Sequence, residues 1–297
     1  MSTNKTHEVV DILGIEHHLA VDPESLNEAG VVWTPAVRAL ASAVAPIIEA
    51  RQASSLATSS SSSRPMRVLE LGAGTGALGI ALACSLPNIH VTLTDLAPVV
   101  PLMQQNADAT RDAGKLADGS ETHVAELAWS RDAVLALNGG GDVSSGGGGG
   151  TERGTHGGRD ASASRSTRWD MVLGCEILYW GGWDVFADDT RGPLLEACIA
   201  ACEVGGAEGV DTAVSSPPTL VVLAFTVRDQ GRESGFVSKD FGEKFWLRLL
   251  DGGANVCVCG DEDDETLARM DADARARTEA AEEGDLLVLG AVAKRSK

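Results

Sequence analysis

The run Glu70-Leu71-Gly72-Ala73-Gly74-Thr75-Gly76-Ala77-Leu78-Gly79 constrains this chain more than any other feature. It follows Val68-Leu69-Glu70-Leu71, which reads as a strand, and opens Gly76 to Leu86, which reads as a helix stopped by Pro87. Glycines at a strand-to-helix turn let the backbone approach a ligand, and the helix start offers unpaired N–H groups. The alternation then continues. His90 to Thr94 reads as a second strand ending in Asp95, and Val99, Leu102, Met103 and Asn106 follow at helical spacing. Glu121 to Ala125, Met171 to Cys175 and Thr219 to Thr226 read as further strands, with a helix over Pro193 to Val204. Phe241, Phe245 and Leu249 mark another helix face, and Ala254 to Cys259 and Leu286 to Ala293 read as two closing strands.

Strands alternating with helices predict an α/β chain: a Rossmann-like, doubly wound, seven-stranded sheet with helices on both faces. The last two strands are expected as an antiparallel extension at one edge. Glu8 to Val21 reads as a small N-terminal hairpin, and Thr34-Pro35 opens a helix through Val37, Leu40 and Val44 that Pro46 is expected to shorten or kink. Three stretches read as inserts: 53–63 and 138–167, rich in Ser and Gly and expected to be flexible, and the acidic 260–284, expected as a solvated helix with a plain solvent face.

Charge excludes some functions. The 24 Lys and Arg against 43 Asp and Glu leave −19, which repels phosphate backbones and makes nucleic acid a poor partner. No run of about 18 apolar residues suggests a membrane span, and the N-terminus carries no apolar signal segment. The six cysteines form no C-x-x-C and read as buried thiols of a reducing compartment. The six histidines are scattered, with His17 and His18 on opposite sides of a strand, so no metal site is expected.

Two ligand readings fit the glycine run. Gly74-x-Gly76-x-x-Gly79 matches a dinucleotide fingerprint. Glu70-x-Gly72-x-Gly74-x-Gly76 matches the loop of methyltransferases that use S-adenosylmethionine (AdoMet). Asp95, at the end of the second strand, suits a ribose in either case. The choice rests on Arg168-Trp169-Asp170-Met171-Val172-Leu173-Gly174-Cys175-Glu176-Ile177-Leu178-Tyr179-Trp180. It puts Glu176 and Tyr179 at the C-terminal end of a strand, the edge where open α/β sheets bind ligands. An acid and an aromatic there suit a methyl-accepting amine and have no special use in a dehydrogenase.

With these residues the chain resembles the non-SET, seven-β-strand protein-lysine methyltransferases of the methyltransferase-like 21 type, methyltransferase family 16. Gly30-Val31-Val32-Trp33, Val68 to Gly76, Val91 to Asp95 with Asn106, and Glu176-Ile177-Leu178-Tyr179 carry the resemblance, with Leu127-Ala128-Trp129 a weaker match. It implies one methyltransferase domain over 1–297, interrupted by the inserts. AdoMet would be the cofactor, held by Trp33, Glu70, Gly72, Ala73, Gly74, Gly76, Asp95, Trp129 and Cys175. Glu176 and Tyr179 would face the amine. The partner would be a protein presenting a lysine to a monomeric enzyme of the cytoplasm, the nucleus being the alternative. Two departures stand out: Glu176 where Asp is usual, and Ala128 where relatives carry an acid. Arg228, Arg232 and Glu233 follow the fifth strand, where the resemblance places substrate-side residues; solvated loop charges explain them equally, and they stay outside the expected site. Competing readings are another methyl acceptor (histidine, arginine, an N-terminal amine or a small molecule), a nicotinamide oxidoreductase, and a non-catalytic scaffold.

Overall fold

The computed structural model describes residues 6–24, 29–58, 64–138, 169–178, 190–203, 217–250 and 263–294. Seven strands form one sheet in the order β5-β4-β3-β6-β7-β9-β8. β3 (Met66–Leu71), β4 (Ile89–Asp95), β5 (Glu121–Glu126), β6 (Met171–Cys175) and β7 (Leu220–Thr226) pair in parallel. β9 (Leu286–Ala293) runs antiparallel to both β7 and the edge strand β8 (Phe245–Leu249). From β3 the chain winds outward to β4 and β5, then returns to place β6 on the other side of β3. That reversal leaves a crevice at the C-terminal ends of β3 and β6, where such sheets bind ligands.

Both faces of the sheet are covered, which is why its central strands are nearly continuous apolar runs. One core packs α1 (Thr34–Thr58) and α2 (Ala77–Ser85) against residues such as Val68, Val91, Leu173 and Val222. The other packs α5 (Arg191–Glu203) and the short α4 (Arg131–Asn138) against Leu69, Leu71, Val172 and Phe225. α3 (Val100–Asp112) follows β4. The N-terminal hairpin joins β1 (Thr6–Ile12) to β2 (Ile15–Val21) through Leu13 and Gly14, both at positive φ as tight hairpin turns require. His17 is buried and His18 exposed, on opposite sides as expected.

Asn106 fastens this hairpin to the rest. Its Oδ1 accepts the Ala20 N–H at 2.7 Å, and its Nδ2 donates to Ala20 O at 3.0 Å and Thr75 O at 2.9 Å. One buried amide on α3 thus ties β2 to the glycine loop. The same amide unpaired would cost on the order of 1–3 kcal/mol.

Several expectations need correction. Phe241, Phe245 and Leu249 do not share a helix face. Phe236–Phe241 is a π-helical stretch between the short α6 (Glu233–Gly235) and α7 (Gly242–Lys244), and Phe245 to Leu249 is β8. An apolar spacing of four suits both periods, since four is also an even number of strand steps. The strand expected over 254–259 lies outside the described residues, and β8 takes the edge position assigned to it. Pro46 does not end α1, which runs 25 residues. The 53–63 segment is not wholly an insert either, because α1 continues to Thr58. Extending an anchored helix through Ala and Ser needs no new nucleus.

The acidic segment forms α8 (Asp264–Ala280), capped by Asp263, whose carboxylate accepts the Thr266 N–H. Its face is not plain. Asp271 is buried and accepts the Leu247 N–H of β8 at 2.9 Å, and it also holds Arg275 Nε at 2.9 Å. Arg275 donates in turn to the carbonyls of Ser238 and Gly242. This one acid clamps the edge strand. The Gly/Ser stretch after Asn138 lies outside the described residues.

Candidate functional site

The crevice at the switch point is a cleft of about 390 Å³. Its floor is the glycine loop. Ala73 N–H donates to Thr94 O at 2.9 Å and Thr94 Oγ1 to Glu70 O at 2.6 Å, which locks the loop onto β4. Gly74 has φ 57°, and a Cβ there would stand 2.6 Å from the Ala29 carbonyl oxygen. Only glycine lets the segment before α1 close over the loop. Gly79 serves packing: its Cβ would meet Leu93 at 2.3 Å and the Glu70 carboxylate at 2.5 Å.

Two carboxylates sit beside the loop. Asp95 Oδ2 accepts the Gly74 N–H at 2.8 Å and Oδ1 the Leu96 N–H at 2.7 Å, which fixes the head of β4 against the turn. Burial raises the Asp95 pKa, partly offset by these two N–H donors. Glu70 is fully buried, and its Oε2 accepts the Gly79 N–H at 2.9 Å. Burial pushes its carboxyl up to about 8. Cys175 holds its proton firmly, raised well above the usual thiol range by burial and then by Glu176 and Glu70. It offers the cleft a neutral thiol and no nucleophile.

Trp33, Glu70, Gly72, Ala73, Gly74, Asp95, Trp129, Cys175 and Glu176 all line this one cleft. The structure therefore brings together residues spread from position 33 to position 176 of the chain. Gly76 does not line it. It sits one step back at φ 79°, facing the Ile80 and Leu93 side chains, and shapes the entry to α2. Tyr179 lies outside the described residues, as do Trp180 and Trp183.

The far end differs from the expectation. Glu176 has φ 56°, a conformation that costs a non-glycine residue on the order of 1 kcal/mol or more. Three contacts hold it there. Its Oε1 accepts the Thr226 N–H at 3.1 Å and the Thr226 hydroxyl at 2.7 Å, while Oε2 pairs with Arg228 Nη2 at 2.7 Å. Only 3% of the Glu176 side chain is exposed. Its carboxylate is thus engaged by Thr226 and Arg228 at the wall of the cleft. Arg228, which the sequence left between a substrate-side residue and a solvated loop charge, lines the cleft and lies 5.3 Å from the Trp33 ring centre. Glu233 is likewise buried, accepting the Arg228 and Asp229 N–H groups. The sequence held a faint signal: an acid five residues after an arginine, directly behind an apolar strand.

This arrangement fits AdoMet. Glu70 and Asp95 face the glycine loop, and the described cleft residues put their cation, Arg228, at the opposite end. Asp95 suits the hydroxyls of a ribose and disfavours a pyrophosphate, and Glu70, neutral below about 8, would be drawn to its carboxylate form by a cationic ligand. When bound, AdoMet would supply an electrophilic methyl group on a sulfonium.

A family model described as lysine methyltransferase matches residues 16–138. The match supports the resemblance read from the sequence, and it contains the glycine loop, Asp95, Asn106 and Trp129. Glu176, Thr226 and Arg228 lie beyond it. No curated protein sequence matches the chain. Among solved structures, the chain is similar to a SAM-dependent methyltransferase from Agrobacterium tumefaciens at 12% identity and TM-score 0.42, covering 97% of this chain and 70% of that one. It is also similar to precorrin-6y C5,15-methyltransferase from Geobacter metallireducens at 11% identity and TM-score 0.38, covering 78% of each. At these scores the structural likenesses contribute nothing to the functional reading. Sheet, cleft and family match together define an AdoMet-dependent methyltransferase.

Proposed function

We propose that the chain transfers a methyl group from AdoMet to a lysine side chain of a protein. The observation that carries this reading is the order of the strands around the cleft: the glycine loop and Asp95 follow β3 and β4, while the Glu176–Arg228 pair, with Trp33 beside Arg228, follows β6 and β7. Asp95 would accept hydrogen bonds from the ribose hydroxyls and Glu70 would face the cationic methionine end. Trp129 would flank the adenine, and Gly72, Ala73 and Gly74 would give the backbone room. The description of the matching family model supports a lysine acceptor, although the residues nearest the acceptor fall outside the match.

The acceptor must lose a proton. A lysine of reference pKa near 10.4 is about 3.4 units above neutrality, or roughly 4.6 kcal/mol. Desolvation in the cleft disfavours the ammonium form, whereas Arg228, ion-paired with Glu176, adds little net repulsion. Glu176 would act as a positioning residue: it holds Arg228 and the end of β7, and Arg228 braces Trp33. Alignment of a neutral amine on an already activated methyl group is then the larger contribution.

Arg228 also favours a second reading, a small acceptor carrying a carboxylate or another anion beside its nucleophile. Transfer of labelled methyl groups from AdoMet into a lysate separates the two. Labelled protein yielding methyl-lysine on hydrolysis supports the first. Another methylated residue moves the acceptor, and label confined to small molecules favours the second. Localisation in the cytoplasm belongs to this proposal. Among the described residues no helix is long and apolar enough to cross a membrane.

A further inference from the structure

We propose that His90, Glu121 and His123 form a surface site for a divalent first-row transition-metal ion of the zinc class. The histidines are 33 residues apart in sequence, which is why they read as scattered. The sheet brings them together. His90 on β4 pairs in register with Glu121 on the edge strand β5, and His123 follows two residues on, so all three side chains project from one face. The helices α4 and α5 cover that face farther along the sheet and leave this end open, so Glu121 and His123 are exposed and His90 half-buried.

The geometry is close to that of a ligand set. His123 Nε2 lies 3.1 Å from Glu121 Oε2, and His90 Nε2 lies 3.9 Å from the same oxygen. One ligand atom from each residue falls within 4.8 Å of the others. Bonds of about 2.0–2.1 Å at a tetrahedral ion separate ligand atoms by roughly 3.3–3.4 Å. Small rotations of two exposed side chains close the difference. The imidazole rings stand 6.3 Å apart at 70°, so both can aim a nitrogen at one point. Two imidazoles and a carboxylate select zinc, nickel, copper or cobalt over magnesium or calcium, which prefer all-oxygen sites. Arg67, beside His90 in the register of β3, opposes the cation, and the Glu121 carboxylate offsets it.

The site is separate from the cleft. His90 stands near the start of β4 and Asp95 at its end, about 16 Å away along the strand. Its effect is therefore structural: an ion there staples the edge strand β5 to β4, and β5 leads directly to Leu127 and Trp129 of the cleft. A ligand that binds only the folded chain must stabilise it.

The test is calorimetric titration of the full chain, freed of any affinity tag, with Zn2+ alone, beside His90→Asn and His123→Asn. One equivalent of Zn2+ with a rise in melting temperature is expected, weakened at least about tenfold in each variant, the size that even an outer partner of a metal site produces. Co2+ loaded into the wild-type chain should show visible bands without thiolate charge transfer. No binding to the wild-type chain, wild-type affinity in either variant, or a thiolate band that assigns the ion to the cysteines overturns the proposal. The Co2+ spectrum needs no variant to fold.

Discussion

The two ends of the cleft are built differently. The glycine-loop end is made of neighbours in sequence: Glu70 to Gly79 form a continuous strand, turn and helix start, and Asp95 closes it from the adjacent strand. The acceptor end is made of distant parts. Glu176 follows β6, Thr226 ends β7, Arg228 begins the next loop, and Trp33 precedes α1. Backbone N–H groups fix the first end, whereas an ion pair and a residue at positive φ fix the second. The first is rigid and generic to the cofactor. In the proposed reading the second can change without disturbing the first, and acceptor choice would reside there.

Substitutions can break this division. Asp95→Ala should act most strongly, because it removes the ribose acceptor and frees two backbone N–H groups. A lost charged hydrogen bond of about 1.5–3 kcal/mol weakens S-adenosylhomocysteine binding roughly 10- to 100-fold in calorimetry. Glu176→Gln and Arg228→Met should each slow methyl transfer about tenfold while cofactor affinity stays close to wild type. If Glu176 acts by holding Arg228, the double variant is no slower than either single one, a coupling of about 1.4 kcal/mol in the cycle. Additive losses would give the two residues separate roles.

Glu70→Gln gives a smaller, pH-dependent effect. The folded chain holds the Glu70 proton to about 8, against an ordinary value of 4.5. Between those values the folded state binds the extra proton, so this group's contribution to stability falls as pH rises. Glu70→Gln should flatten that fall in melting temperature, and an unchanged slope would show that Glu70 is ionised in the folded chain. Asp271→Asn tests the far edge: it should lower stability by about 1–3 kcal/mol through the β8 clamp, with no effect on cofactor binding.

The same contrast explains what the sequence made legible. The parallel strands and the glycine loop follow from local apolar runs and turn residues, and their bounds agree with the structure to within about two residues. The cofactor-side residues converge as read, except Gly76, which supports the loop from behind. The partners of Glu176 are not legible in sequence because Thr226 and Arg228 lie 50 and 52 residues away, and no local pattern reports a pairing across two strands. Phe245 to Leu249 was misread because a spacing of four cannot separate a helix from a strand. Asp271 looked like one more surface acid because its buried partner, the Leu247 N–H, is a backbone group.

The division of the cleft is tested most directly by titrating S-adenosylhomocysteine into the wild-type chain, Asp95→Ala and Arg228→Met side by side. One equivalent should bind the wild-type chain, with affinity at least about tenfold weaker in Asp95→Ala and within about twofold of wild type in Arg228→Met, since that residue touches only the acceptor end in this account. Equal loss in both variants, or no binding to the wild-type chain, would contradict it.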